Sequence, residues 1–555
     1  MSQPPGSLVV REDLLADGLR TATSPTQNRW WIGAPLLVVV ALYVLPLAGS
    51  PPATNPNEVA RIELAAALAT GAGLDIQSAA VIYGLSEDVA RHDGRIYSDK
   101  APGLSFLAAP ITLLVDWLLP SVPGTDLPAY WPLRHLLTLI LVALPTAGLA
   151  FLIAAFVPGQ DPRRLSSLAL ITALATPLWT YAIVFFGHAP AAVLVTIAWA
   201  LLLRPGAADG PPRRLHALAG GVAIGFAVTV EYPTVLLLGI IFGALVARRT
   251  PQLILSWAAA GAVVGLAPAL AYHQLAFGAP WLTGYAFKAN AEFQVIHARG
   301  VLGVSLPSLE ALWGVLFSAR RGLFYFSPVL LLAPLGLWQM IRRRGFRDVA
   351  PLTAAIIIYV LFAAGFVDWE AGWCAAARHL VPVVPLLAIP VLYALVNFDF
   401  GWSWKFLAAG LIAISGVNAA LSIALTPFFP PQFNVPLAQL VLPSLADGAG
   451  LHNIFSAAIG VPVIAVAIAV VIVTVATLGW ASSRILRMPR RWVAAVFAAT
   501  LAAQLLWLSW QGAGATTEVE LMRAHVLQRL GYEALAERIV REFVVSGSPM
   551  PHDDD

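Results

Sequence analysis

Apolar runs recur along this chain from Trp30 to Trp510, and short segments holding paired arginines separate them. A helix needs about 20 predominantly apolar residues to cross the hydrocarbon core, because no water is present there to satisfy its backbone N–H and C=O groups. Runs at 31–49, 134–157, 166–183, 188–204, 216–230, 233–247, 252–273, 324–341, 349–366, 381–397, 405–425, 455–479 and 491–510 predict about thirteen spans on the usual hydropathy rule. The composition points the same way. Of the 555 residues 59% are hydrophobic and 11% charged, whereas a soluble domain carries roughly 25% charged residues. Too few polar side chains remain to cover a water-facing surface. The single cysteine, Cys374, excludes an intrachain disulfide framework and any cysteine-based metal cluster. A net charge of +3, with arginines in short pairs and no basic face, gives no reason to expect a nucleic-acid partner. The expected class is an all-α polytopic membrane protein.

Arginine placement orients the chain, since cytoplasmic loops collect Lys and Arg. Arg163-Arg164, Arg213-Arg214, Arg248-Arg249, Arg342-Arg343-Arg344 with Arg347, Lys405, and Arg484 with Arg487, Arg490 and Arg491 are placed inside. The polar segment 1–30, carrying Arg11, Arg20 and Arg29, is read as a cytoplasmic tail. The apolar run after it has no small-residue cleavage site, so it is read as a first membrane helix and not a removed signal peptide. A crossing by Leu104–Leu119 would move every later arginine loop to the other side. That stretch contains Pro110 and Asp116 and ends in Pro120, which suits an interfacial or re-entrant helix. Residues 50–133 therefore form one large first outer (periplasmic) loop with interfacial helices. The core spans 31–397, further membrane helices occupy 398–510, and 511–555 form an outer tail with an amphipathic helix over Glu518–Val545.

Ionisable residues crowd the outer segments. Glu58 and Arg61 lie one helical turn apart, so both face the same way. A carboxylate held by a guanidinium suits a general base acting on a hydroxyl; it equally suits a surface pair on an interfacial helix. The run Tyr97-Ser98-Asp99-Lys100-Ala101-Pro102-Gly103 sets an ammonium at the membrane surface, where it can meet a lipid phosphate or simply snorkel to water. His188, in Phe186-Gly187-His188, and Glu231 stand at span ends. They read either as a metal or sugar site or as a satisfied interfacial pair, and an ionisable group at membrane depth is by default a functional candidate. Arg320-Arg321-Gly322 and Asp368-Trp369-Glu370 with Arg378-His379 place cations outside, against the charge rule. Such cations need an anionic partner, either a phosphate or a loop carboxylate.

Asn57-Glu58-Val59-Ala60-Arg61, Asp75 and Tyr97-Ser98-Asp99-Lys100-Ala101-Pro102-Gly103 resemble the first outer loop of the GT-C glycosyltransferases. The nearest resemblance is to bacterial members related to the protein O-mannosyltransferases and the lipid A aminoarabinose transferase. Phe186-Gly187-His188-Ala189, Glu231-Tyr232-Pro233, Phe277-Gly278-Ala279-Pro280, Arg321-Gly322-Leu323-Phe324 and Trp369-Glu370-Ala371-Gly372 look like later motifs of a bacterial branch. The resemblance runs from about Trp30 to about Val396.

This resemblance implies a GT-C fold with about thirteen spans. It also implies transfer of a hexosyl or pentosyl unit, with inversion, from a polyprenyl-phosphate donor to an envelope lipid, glycan or protein on the outer face of the inner membrane. The family's catalytic residue is the aspartate of an Asp-Glu pair. Here the pair is Asn57-Glu58, so the role falls to Glu58 or to a later carboxylate such as Asp88. Arg61 and Lys100 match the positions that hold the donor phosphate, with Arg321 or Arg378 assisting, while His188, Glu231 and His379 are further substrate-binding candidates. Metal-dependent relatives place acidic ligands near His188, so a divalent metal is the one cofactor the resemblance leaves open. The main rival is a transporter or lipid flippase, which would show internal repeats and a midplane site; neither is evident in the sequence.

Overall fold

The computed structural model describes residues 25–48, 55–115, 118–125, 127–203 and 213–545. The N-terminal tail up to Ser24, with Arg11 and Arg20, and Asp116 of the Leu104–Leu119 segment lie outside them. Among the described residues the architecture is helical apart from one two-stranded ribbon. Of the thirteen apolar runs, seven are helices long and apolar enough to cross a membrane: Tyr130–Ala154, Gln252–Phe277, Phe346–Gly365, Arg378–Asn397, Trp402–Ala424, Val463–Ile485 and Arg490–Gly512. Four more are shorter apolar helices, Trp30–Val44, His188–Leu202, Arg214–Val230 and Tyr232–Ala247. The remaining two are interrupted. Pro162–Leu174 gives way to Leu178–Ala182 at Pro177, and Leu323–Phe326, Pro328–Leu332 and Ala333–Arg344 succeed one another around Pro328. Proline lacks the N–H that an unbroken helix needs, which accounts for both breaks. The chain is a multi-pass membrane protein.

Small residues set the closest helix contacts. A Cβ added at Gly221 or Gly225 would collide with the backbone of Ala258 or Ala262, and one at Gly261 or Gly265 with Leu218 or Val222. Helices Arg214–Val230 and Gln252–Phe277 thus meet along two facing small-xxx-small stripes, the arrangement that lets backbones approach in lipid. Thr229 Oγ1 donates to Gly265 O across that seam at 2.8 Å.

The segment after the first apolar helix is compact. Asn55 caps helix Pro56–Ala69, its Oδ1 accepting from Asn57 N at 3.0 Å, with Pro56 in the first turn. Helix Gln77–Tyr83 follows, then strands β1 (Val89–His92) and β2 (Arg95–Ser98), which pair antiparallel from Val89↔Ser98 to His92↔Arg95. The connection is Asp93-Gly94, both at positive φ, the turn chemistry a two-residue hairpin requires. Helix Gly103–Val115 lies against Pro56–Ala69. Its 13 residues rise about 20 Å, short of the roughly 30 Å hydrocarbon core. At the other end, the expected single helix over Glu518–Val545 is two helices, Thr517–Arg529 and Glu533–Val545. The break falls at Gly531, whose φ of +83° ends the first helix in the left-handed region.

Candidate active site

Segments between the membrane helices converge through glycines that admit no side chain. A Cβ on Gly187 would lie 2.6 Å from Val230 O, 2.7 Å from Glu231 Oε2 and 3.2 Å from Arg61 Nη2. One on Gly103 would meet Thr229 O at 2.7 Å, and one on Gly284 the Asp99 backbone at 2.7 Å. Phe186-Gly187-His188 and Pro102-Gly103 are thereby explained as contact points. They draw Arg61, Glu231 and His188 around a cavity of about 260 Å³.

Four charges cluster at one end of this cavity, Asp88, Lys100 and Lys288 on its wall and Asp99 behind them. Lys100 Nζ lies 2.9 Å from Asp88 Oδ1 and 3.3 Å from Asp99 Oδ1. Lys288 Nζ bonds Asp99 Oδ2 and stands 3.9 Å from Asp88 Oδ1. The ribbon holds them in place: Asp99 and Lys100 follow β2, and Ala289 N donates to Val89 O, which fixes Lys288 beside β1. Burial alone would push the Asp99 carboxyl up, but Lys100 and Lys288 hold it below the usual carboxylate range. Burial opposes the Lys100 ammonium, and Asp88 with Asp99 more than reverses this, so Lys100 stays charged. Lys288 is pushed below the ordinary lysine value by burial and by Lys100. Beside Lys288 the His297 ring stacks on Tyr285 at 4.3 Å and 3°. Burial and Lys288 bring His297 down to about 4, so the ring is neutral at pH 7. A flat neutral pair of this kind suits the apolar face of a sugar ring.

The second cluster centres on Glu231. Helix Arg214–Val230 ends there in extended backbone before Tyr232–Thr234. Irregular backbone at membrane depth is tolerated where it lines a cavity, and Glu231 does line it. Its Oε2 lies 3.2 Å from His188 Nδ1 and 3.8 Å from Arg61 Nη2. Neither Oε2 nor Nδ1 reaches hydrogen-bond geometry within the described residues, so the pair is close but misaligned. Arg61 is aimed by its neighbours, donating from Nε to Asn57 Oδ1 at 3.1 Å and from Nη1 to Ala101 O at 2.9 Å. Arg378 and His379 line the same cavity, with the His379 and His188 rings 5.9 Å apart. Among the described residues no group of three or more His, Cys, Asp or Glu side chains is arranged to hold a metal ion; His188 with Glu231 makes only a pair.

Two candidates are placed elsewhere. Glu58 is buried off the cavity wall, its Oε1 accepting from Arg134 Nη2 and from Phe185 N, both at 2.6 Å. It ties helix Pro56–Ala69 to the bundle, while its neighbour Asn57 faces the cavity. Arg321 is fully buried, donating to the carbonyls of Arg320, Glu370, Gly372 and Phe429. Those four carbonyls satisfy the guanidinium without a phosphate. Arg320 is taken by Glu370 and Asn434.

The cavity wall also carries residues that sequence reasoning missed: Arg134, Tyr285, Lys288, His297 and Arg529. One signal was available for Lys288. The chain has three lysines among its 33 basic residues, Lys100, Lys288 and Lys405, and two of these three face the cavity.

Neither a protein-family model nor a curated protein matches the sequence. Among solved structures, the chain is similar to the ArnT protein of Cupriavidus metallidurans bound to undecaprenyl phosphate, at 18% identity and a TM-score of 0.48 over 86% of this chain and 75% of that one. The apo form of the same protein gives 19% identity, a TM-score of 0.48 and coverage of 85% and 74%. The oligosaccharyltransferase AglB of Archaeoglobus fulgidus, solved with an inhibitory peptide and a dolichol-phosphate, shares 12% identity with a TM-score of 0.39, over 71% of this chain and 55% of that one.

Proposed function

We propose that this protein is a membrane glycosyltransferase of the GT-C type. It moves a sugar from a polyprenyl-phosphate donor to a lipid, glycan or protein acceptor on the outer face of the inner membrane, with its N-terminus in the cytoplasm. The observation that carries the reading is the buried Asp88 carboxylate beside Lys100 and Lys288 on one cavity wall. Asp88 takes the proton of the acceptor hydroxyl. The hydroxyl oxygen attacks the anomeric carbon from the face opposite the phosphate, the bond from that carbon to the phosphate oxygen breaks, and the sugar is inverted. Lys100, Lys288 and Arg61 stabilise the negative charge that develops on the departing polyprenyl phosphate, as preorganised cations do in a water-poor site. Tyr285 and His297 offer a stacking surface to the sugar.

Binding and turnover test separate parts of this reading. Undecaprenyl phosphate titrated onto purified protein in nanodiscs should bind about ten- to a hundred-fold more weakly to Lys100→Gln and Lys288→Gln, since each loses one charged hydrogen bond. With polyprenyl-phosphate sugars as donors, Asp88→Asn should fold and lose about 10²-fold or more in turnover, the range of general base catalysis. Glu58→Gln, off the wall, should keep the turnover of whatever fraction folds. Wild-type affinity in the Lys100→Gln, Lys288→Gln double variant would overturn the donor site.

A further inference from the structure

Most cations on the cavity wall already have acidic partners. Lys100 and Lys288 share Asp88 and Asp99. Arg134 is held by Glu58, and Arg61 stands 3.8 Å from Glu231. Two arginines differ. Among the described residues neither Arg378 nor Arg529 has a carboxylate within 4.0 Å, and the Arg378 Nε is buried with no hydrogen-bond partner. Both line the cavity, as does Trp373, and the Arg529 guanidinium lies over the Trp373 ring at 4.9 Å. Arg378 is half-buried and its Nε lacks an acceptor, which is unfavourable, whereas Arg529 is exposed and keeps its guanidinium available. An oxyanion entering the cavity would give the Arg378 Nε its missing acceptor.

The placement of Arg529 is not that of a loose tail. Asp447 accepts from Arg523 Nη1 at 2.6 Å and from Arg538 Nη2 at 3.1 Å, one on each helix of the C-terminal pair. Tyr532 Oη accepts from Gly450 N at 3.0 Å, and His452 Nε2 lies 3.0 Å from Leu530 O. The two helices are thus fastened on both sides of Arg529, and Val526, Arg529 and Leu530 close the cavity.

We propose that Arg378 and Arg529, with the Trp373 indole beside Arg529, form a second anion subsite on the same cavity as Lys100 and Lys288, built from different cations, that takes a phosphate-type oxyanion. Within the glycosyl-transfer reading, on which this assignment of source rests, the oxyanion belongs to the acceptor, which is therefore an acidic molecule. The alternative source is the donor headgroup itself.

The test uses the full chain in phosphatidylcholine nanodiscs, saturated with undecaprenyl phosphate and then titrated with inorganic pyrophosphate. Wild type should bind pyrophosphate. Arg378→Gln and Arg529→Gln should bind it about ten- to a hundred-fold more weakly, Arg529→Lys should recover part of the loss, and undecaprenyl phosphate affinity should change less than about twofold. If the two arginine variants weaken undecaprenyl phosphate as Lys100→Gln does, the subsite stands and its oxyanion is the donor's. Wild-type pyrophosphate affinity in both variants, with thermal unfolding confirming that they are folded, overturns the subsite, as does failure of wild type to bind pyrophosphate. Failure of undecaprenyl phosphate to bind wild type counts against the glycosyl-transfer reading alone, because the pyrophosphate titration can be run without it.

Discussion

Glu63 offers a pH test of helix Pro56–Ala69. Its side chain is fully buried, and neither carboxylate oxygen has a hydrogen-bond partner within the described residues. Burial raises its carboxyl from 4.5 to about 8, so at neutral pH it is protonated in the folded state and ionised in the unfolded one. Between those two values the folded chain binds the extra proton, and stability therefore falls as pH rises. The contribution lost is about 1.4 kcal/mol per pH unit and at most roughly 4–5 kcal/mol over the whole interval. Glu63→Gln keeps the shape and removes the titration. Apparent Tm in detergent, followed from pH 5 to pH 8.5, should decline more steeply for wild type than for Glu63→Gln. The variant should be no more stable than wild type at pH 5 and more stable at pH 8.5. Parallel profiles would show that Glu63 does not carry the proton, and the assignment of a neutral buried acid would fail.

Two further outcomes test the bundle and its orientation. Gly225→Leu should cost about 1–3 kcal/mol or more by overpacking the seam with Ala262, whereas Gly239→Leu, with nothing near its Cβ, should leave apparent Tm unchanged. A cysteine at Gln160, in the Arg163-Arg164 loop, should resist an impermeant thiol reagent added outside intact cells; ready labelling there would reverse the topology.

The membrane helices were legible because lipid imposes one rule on every span, and periodic apolar runs record it. The site was less legible because its parts are remote in sequence. Lys288 reaches Asp99 across 189 positions, and nothing near Lys288 marks it except the rarity of lysine. Arg529 was hidden inside what read as one amphipathic surface helix; Gly531 was the signal that the chain turns there. The ribbon was missed because its strands are four residues each, although Asp93-Gly94 is a strong hairpin turn. The partners of Arg321 were not legible because a loop arginine can be satisfied by carbonyls as well as by an anion.

Glu58 is the instructive case, since spacing alone could not separate it from Asn57. Residues three and four apart both neighbour Arg61 on a helix, and the structure selects the i,i+4 partner: Arg61 donates to Asn57 Oδ1 at 3.1 Å, while Glu58 turns to Arg134. The cavity-facing position thus holds an amide, which cannot accept a proton as a base. Asn57→Asp places a carboxylate there and separates two accounts of the chemistry. With Asp88 as the base, a new carboxylate at 57 strengthens its bond to Arg61, because charged hydrogen bonds are roughly twice as strong as neutral ones. It then competes with the donor phosphate for that guanidinium. Undecaprenyl phosphate should bind several-fold more weakly, and turnover at saturating donor should stay within about threefold, well under one tenfold step of 1.4 kcal/mol. A tenfold or greater rise in turnover would mean that the wild-type cavity lacks an adequate base, and Asp88 would lose the role.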